Sequence, residues 1–298
     1  WTDDNPKRSD VNRTQMRYSV LKDGSWTGQA WIGQDGTAAF SPTLAPTGNG
    51  MLMAWHNIGK PVSEEAGLGA LIKRVYSSDG SSSQLRTLTY DDKFDHSPKL
   101  AAEGDNALLV WIKSQGVNFD FGTDTEDFRS PNNSDGLCFS HWNGDTWSTP
   151  TEIAGSLPVV IDTSLAMRGK EGLLLYVLDM DDDLSTQEDR EVFAMVYDGD
   201  VWGEAIRLTH NREDDSGPAA VYAEGDWFIT WSQNGNIMYK YGLKGAIMTG
   251  EFLQNVPSDY ELTVKQGIKP QVALVYKQSG ENKTRGLSAF FYDINSGV

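Results

Sequence analysis

One pattern recurs five times along this chain and fixes most of what it can fold into. It reads SPTLAPTGNGMLMAW from Ser41, SPKLAAEGDNALLVW from Ser97, IDTSLAMRGKEGLLLY from Ile161, SGPAAVYAEGDWFITW from Ser216 and LTVKQGIKPQVALVY from Leu262. In every copy an anchor position (Pro42, Pro98, Thr163, Pro218, Thr263) precedes an aromatic residue (Trp55, Trp111, Tyr176, Trp231, Tyr276) by the same 13 positions. A second signal, a turn followed by tryptophan, ends at Trp26 in KDGSW, Trp147 in NGDTW and Trp202 in DGDVW, and each lies 16 positions before the next anchor. The two signals share one frame. Units of this kind cannot bury an apolar face alone, so they must stack on one another.

Inside a unit, runs such as Leu108 to Ile112 and Phe228 to Trp231 are short, apolar and bounded by Gly, Asn and Asp, which is strand chemistry. Asp23-Gly24, Asn143-Gly144 and Asp198-Gly199 supply the positive φ of tight hairpins. No segment holds a 3.6-residue apolar period, so helices should be nearly absent. Anchor spacings of 56, 65, 55 and 45 residues suit a four-stranded antiparallel unit. Radial stacking of such units covers their edges. The sequence therefore predicts an all-β fold, a β-propeller of four-stranded blades, with five to six or more blades. Its expected extent is one domain over 1–298: a partial blade at 1–40, blades at about 41–96, 97–160, 161–215 and 216–260, and a partial blade at 261–298. Laying Trp26 on Trp202 sets Trp1 beside Tyr176, which predicts an incomplete ring, part of a longer multidomain chain or completed by another chain. A five-bladed closure is the alternative.

The formal net charge of -17 and pI near 4.5 argue against nucleic acid and anionic lipid, because a polyanion is repelled and releases no counterions. The longest apolar runs, such as Gly172 to Leu178, are far too short for membrane insertion. The single cysteine, Cys138, rules out an internal disulfide framework.

Strands in a meander alternate direction, so the long insertions at 57–70, 113–136 and 178–190 should emerge on one face, where function concentrates. The sharpest of them is DMDDDLSTQEDRE. Asp179, Asp181 and Asp183 alternate, and Asp189 and Glu191 return shortly afterwards. Five acids this close repel one another unless a hard divalent cation draws them together, and oxygen-only ligation suits Ca2+. These five are the expected metal ligands, in a structural calcium loop. A second insertion interleaves Phe119, Phe121 and Phe128 with Asp124, a candidate ligand rim. His56 and His96 are assigned to the same face and join the ligand-binding candidates. No G-x-S-x-G, H-E-x-x-H or P-loop is present.

The run DREVF, YDGDVW, LTHN and DDSGPAAV before a tryptophan strand resembles the propeller repeats of large secreted or surface-attached bacterial and archaeal proteins. At a distance it is similar to sialidase-type Asp-box propellers, although NGDTW and DGDVW lack the serine that opens that box. The resemblance implies an extracellular or cell-surface, calcium-containing binding or adhesion module whose partner is a glycan or a protein. A polysaccharide-active enzyme, a glycoside hydrolase or lyase using loop-face carboxylates or histidine, is the alternative function.

Overall fold

The apolar runs flanking each glycine-containing turn pair as hairpins, and these hairpins build everything else. The computed structural model describes residues 1–8, 12–32, 37–48, 50–58, 73–78, 86–91, 93–114, 134–243, 248–253, 260–265, 271–279 and 285–293. All regular structure among the described residues is strand, so no described helix is long and apolar enough to cross a membrane. The chain divides into two compact units, Trp1–Leu157 and Pro158–Val298.

The first unit opens with a three-stranded antiparallel sheet of Thr2–Asp4, Thr14–Tyr18 and Ala30–Ile32. Two four-stranded meanders follow: Ala39–Thr47, Gly50–Ile58, Lys73–Ser78 and Arg86–Thr87, then Phe94–Glu103, Asn106–Ser114, Asp135–Trp142 and Thr151–Leu157. Among the described residues one strand pair, the parallel Phe94↔Lys73, bridges these two meanders. The second unit holds two further four-stranded meanders. One comprises Val159–Arg168, Glu171–Asp179, Arg190–Tyr197 and Ile206–Arg207; the other, Asp215–Ala223, Asp226–Gln233, Asn236–Tyr241 and Met248–Leu253. It ends on the three-stranded sheet Tyr260–Lys265, Gln271–Ser279 and Arg285–Tyr292. All pairing inside these sheets is antiparallel.

The register of 13 now has a structural cause. The anchor strand carries a β-bulge at Ser41-Pro42, Ser97-Pro98 and Gly217-Pro218, where two residues oppose one on the next strand. The opposed residue is the repeat aromatic, Trp55, Trp111 or Trp231. Ser41, Ser97 and Gly217 have φ of 49°, 50° and 55°, the left-handed turn a bulge needs, and the following proline has no amide proton to leave unpaired. In the third copy the extra residue is Ile161 and no left-handed residue is used; Thr163 pairs directly with Tyr176. The fifth copy departs further. Tyr276 pairs with Tyr260, and Thr263 with Ala273, a three-residue shift from the expected frame. Five residues separate its strands, against two between Arg168 and Glu171.

Each core cluster joins two successive repeats. Leu52 and Ala54 of one copy pack on Leu109, Trp111 and Cys138 of the next; Leu173, Leu175 and Val177 pack on Trp227, Ile229 and Trp231. Trp55, Trp111 and Trp231 thus face the sheet that precedes their own. Central strands are apolar on both faces because both are covered, and a Leu109→Ala cavity there would cost about 2–5 kcal/mol. The turn tryptophans follow one rule with one exception. The Asn143 and Asp198 side chains each accept two backbone N–H groups, folding Trp147 onto Trp142 and Trp202 onto Tyr197. Trp26 instead sits in a separate hairpin with Leu21 and is 70% exposed.

Candidate functional site

After Glu171, strand Glu171–Asp179 is apolar until its last residue, and that residue is fully buried. Register places Asp179 opposite Arg190, the first residue of the returning strand. Between them the chain folds on its own carboxylates. The Asp181 amide donates to Asp189 Oδ2 at 2.7 Å, and the Asp183 amide donates to Asp181 Oδ1 at 2.9 Å. The Val159 amide donates to Asp182 Oδ1 at 2.7 Å, tying the loop to the neighbouring strand, with Asp182 itself at φ 62°.

These bonds bring Asp179, Asp181 and Asp189 together, each offering a carboxylate oxygen within 4.8 Å of the others. Neither oxygen of Asp179 receives a hydrogen bond, and Asp189 Oδ1 receives none. Among the described residues the one opposing charge is Arg190, whose Nε lies 3.5 Å from Asp179 Oδ2 without forming a hydrogen bond and whose Nη1 reaches Asp214 at 3.4 Å. Burial pushes the Asp179 carboxyl up to about 6, the charges of Asp189 and Asp181 push the same way, and Arg190 opposes them. A buried ionised carboxylate without hydrogen bonds costs several kcal/mol. It therefore takes a proton or a cation. Three carboxylates with no nitrogen or sulfur donor fit a hard divalent ion.

Two of the five expected ligands are engaged elsewhere. Asp183 is exposed, and its Oδ1 accepts from the Ser185 amide and hydroxyl, which holds its carboxyl below the usual range. Glu191 is buried but faces away, because alternation along Arg190–Tyr197 sets it on the opposite side from Arg190. Its oxygens accept from Thr209 Oγ1 at 2.5 Å, the Asn211 amide at 3.0 Å and Arg207 Nη2 at 2.8 Å. That makes Glu191 a fastener for the segment 207–211.

The two histidine candidates come together in the first unit, in strands. The His56 and His96 rings meet edge to face at 6.4 Å, with His56 stacked on Phe40 and only 4% exposed. Ser97, the left-handed bulge residue, serves both: its amide donates to His56 Nδ1 at 3.2 Å and its hydroxyl lies 3.0 Å from His96 Nδ1. On the other side His96 Nε2 is 3.1 Å from Ser114 Oγ, which donates to Asp135 Oδ1 at 2.6 Å. Because Ser114 spends its proton on the carboxylate, a neutral His96 must donate from Nε2 and accept from Ser97 at Nδ1. The result is a directed chain from Ser97 to Asp135. Next to it, buried Asp95 accepts from Trp111 Nε1 at 2.8 Å. Burial raises the Asp95 carboxyl to about 6, with Asp91 adding to it and the Thr89 and Trp111 hydrogen bonds opposing.

Phe119, Phe121, Asp124 and Phe128 lie outside the described residues. Ser97, Ser114, Asp135 and Asp182 were missed by sequence reasoning. Ser97 was visible only as an anchor neighbour, and the others carry no signal short of the strand register.

No protein-family model matches this sequence, and neither does any curated protein. Solved structures do resemble it. A Dyadobacter fermentans DSM 18053 protein of unknown function aligns with a TM-score of 0.55 at 12% identity, over 88% of this chain and 80% of its own. Trypanosoma rangeli sialidase in complex with the inhibitor DANA aligns at 0.52 and 9% identity, over 98% of this chain and 52% of the sialidase. The Hadza microbial sialidase Hz136 aligns at 0.53 and 14% identity, over 97% and 61%. The chain thus spans between half and two thirds of these sialidases. At such identities the likeness is one of fold: an all-β, sialidase-like, propeller-like architecture.

Proposed function

We propose that this protein is an extracellular or cell-surface binding module, its four-stranded repeats serving as blades of a propeller of five, six or more blades. A calcium ion held by Asp179, Asp181 and Asp189 fixes the 179–191 hairpin, and the loop-rich acidic face recognises a glycan or a protein ligand. The observation that carries this reading is the fully buried Asp179 carboxylate, which faces two further carboxylates and receives no hydrogen bond. The cation supplies the positive charge that Arg190 alone does not bring into contact. Asp183 caps its own turn and Glu191 braces the strand behind, so the ligand set is smaller than the acidic run. His56 and His96 at the foot of the long insertions, with Phe119, Phe121, Asp124 and Phe128 above them in sequence, are the ligand-contact candidates.

A glycan is favoured over a protein because one T. rangeli sialidase of this fold, which aligns over 98% of this chain, is described in complex with sialic acid. That likeness, with the His96–Ser114–Asp135 chain, also supports a second reading, a glycoside hydrolase or lyase using loop-face carboxylates or histidine. Incubation with immobilised polysaccharides, with and without calcium, separates them. Calcium-dependent retention without soluble products supports the binding module. New reducing ends or unsaturated sugars establish the enzyme. Neither signal points to a protein ligand.

A further inference from the structure

We infer that the cation held by Asp179, Asp181 and Asp189 is open to solvent on one side and recognises a pair of adjacent hydroxyls on a neutral saccharide. This inference rests on the cation loop proposed above and says what the ion is for.

The donor count comes first. Asp189 Oδ2 is committed to the Asp181 amide and Asp181 Oδ1 to the Asp183 amide, which leaves Asp189 Oδ1 and the two oxygens of Asp179 without a hydrogen bond and Asp181 Oδ2 with only a long one, 3.5 Å, from Thr186 Oγ1. Calcium takes about 6–8 oxygens, so about three positions remain for groups outside these side chains. The burial is one-sided. Asp179 has no exposure, Asp189 is half-buried and Asp181 is exposed, so the closed side of the site is the strand end and the open side is solvent.

Charge then selects the ligand. The segment 179–191 carries seven acidic side chains against one arginine, and a divalent cation still leaves it at a formal charge of about −4. Asp182, Asp183 and Glu188 are exposed in the same segment. A carboxylate ligand would gain the cation and be opposed by this excess of negative charge, whereas a diol gains the cation at no such cost. Two vicinal hydroxyls can chelate one ion by replacing two bound waters. The chemistry therefore points to neutral sugars, in contrast to the anionic sialic acid bound by one of the fold relatives.

Terbium in place of calcium tests this on the intact chain, because its luminescence lifetime in H2O and D2O counts bound waters. About three waters are expected on the protein-bound ion, falling by about two when mannan, galactan or dextran is added and unchanged with polysialic acid. Asp181→Asn should abolish the protein-bound signal, and Asp183→Ala should leave both the signal and its response intact. No protein-bound terbium would overturn the cation loop itself. Bound terbium carrying no water, or waters that none of the three neutral polymers displaces, would leave the loop standing and overturn this inference. Displacement by polysialic acid in preference to the neutral polymers would overturn the choice of ligand.

Discussion

The mouths of two equivalent hairpins handle a buried carboxylate in opposite ways. In the repeat beginning at Ser97, Ser114 pairs with Asp135 at the end of the second strand; in the repeat beginning at Ile161, the same position pairs Asp179 with Arg190. Asp135 is satisfied by a hydroxyl at 2.6 Å that continues to His96. Asp179 accepts no hydrogen bond and faces Asp181 and Asp189. A satisfied network rigidifies the place it occupies, whereas an unsatisfied one of like charges is stable only with something added. One repeat therefore holds a hydrogen-bonded lock where the other holds three carboxylates that could take a metal ion.

The largest expected effect breaks the second of these. Chelation should destabilise the native protein by about 2.7 kcal/mol relative to calcium at 100 times its dissociation constant, roughly 5–10 °C in Tm. A melt unmoved by chelator would place both hairpins in the structural class.

Next comes acid titration of the first unit. The Asp95 carboxyl sits near 6 in the folded chain against an ordinary 3.8, so the folded state holds its proton more tightly. Its ionisation therefore costs stability as pH rises from about 4 to about 6, by at most about 2–3 kcal/mol, and the cost is absent below pH 4. In saturating calcium, Asp95→Asn should flatten this part of the pH dependence of Tm. An unchanged slope would show that Asp95 is better solvated than its burial indicates.

Ser114→Ala should cost about 1–3 kcal/mol, equally with and without calcium, because it withdraws a donor from a buried carboxylate. A calcium-dependent cost would mean the two mouths are coupled. The smallest effect is expected at Asp183→Ala, a barely measurable change in Tm in either condition, since only exposed turn bonds are lost.

Much of the architecture was legible because it depends on spacing. The interval of 13 residues encodes a hairpin whose bulge opposes an aromatic, and it survives any change of loop length elsewhere. The interval misleads only in the last copy, where five residues rather than two separate the strands and Tyr276 moves to face Tyr260. Trp26 obeys the sequence frame yet lies exposed, because its hairpin pairs with itself and not with a third strand. The site was legible in part for a related reason. Alternation at Asp179, Asp181 and Asp183 assumes a continuing strand, but the strand ends at Asp179 and the Asp181–Asp183 bond turns the chain. Asp183 is carried outward. Glu191 fails in the opposite sense: alternation does hold in its strand, and so places it behind the site. The Ser97–His96–Ser114–Asp135 chain spans three strands, and no local pattern announces a contact set by register.

The measurement that tests the central claim most directly is calorimetric titration of calcium into the chelator-treated protein and into Asp181→Asn. One binding event per chain, lost in the variant while the fold and the Ser114–Asp135 lock persist, is the predicted result. No binding, or binding that Asp181→Asn leaves unchanged, would contradict it.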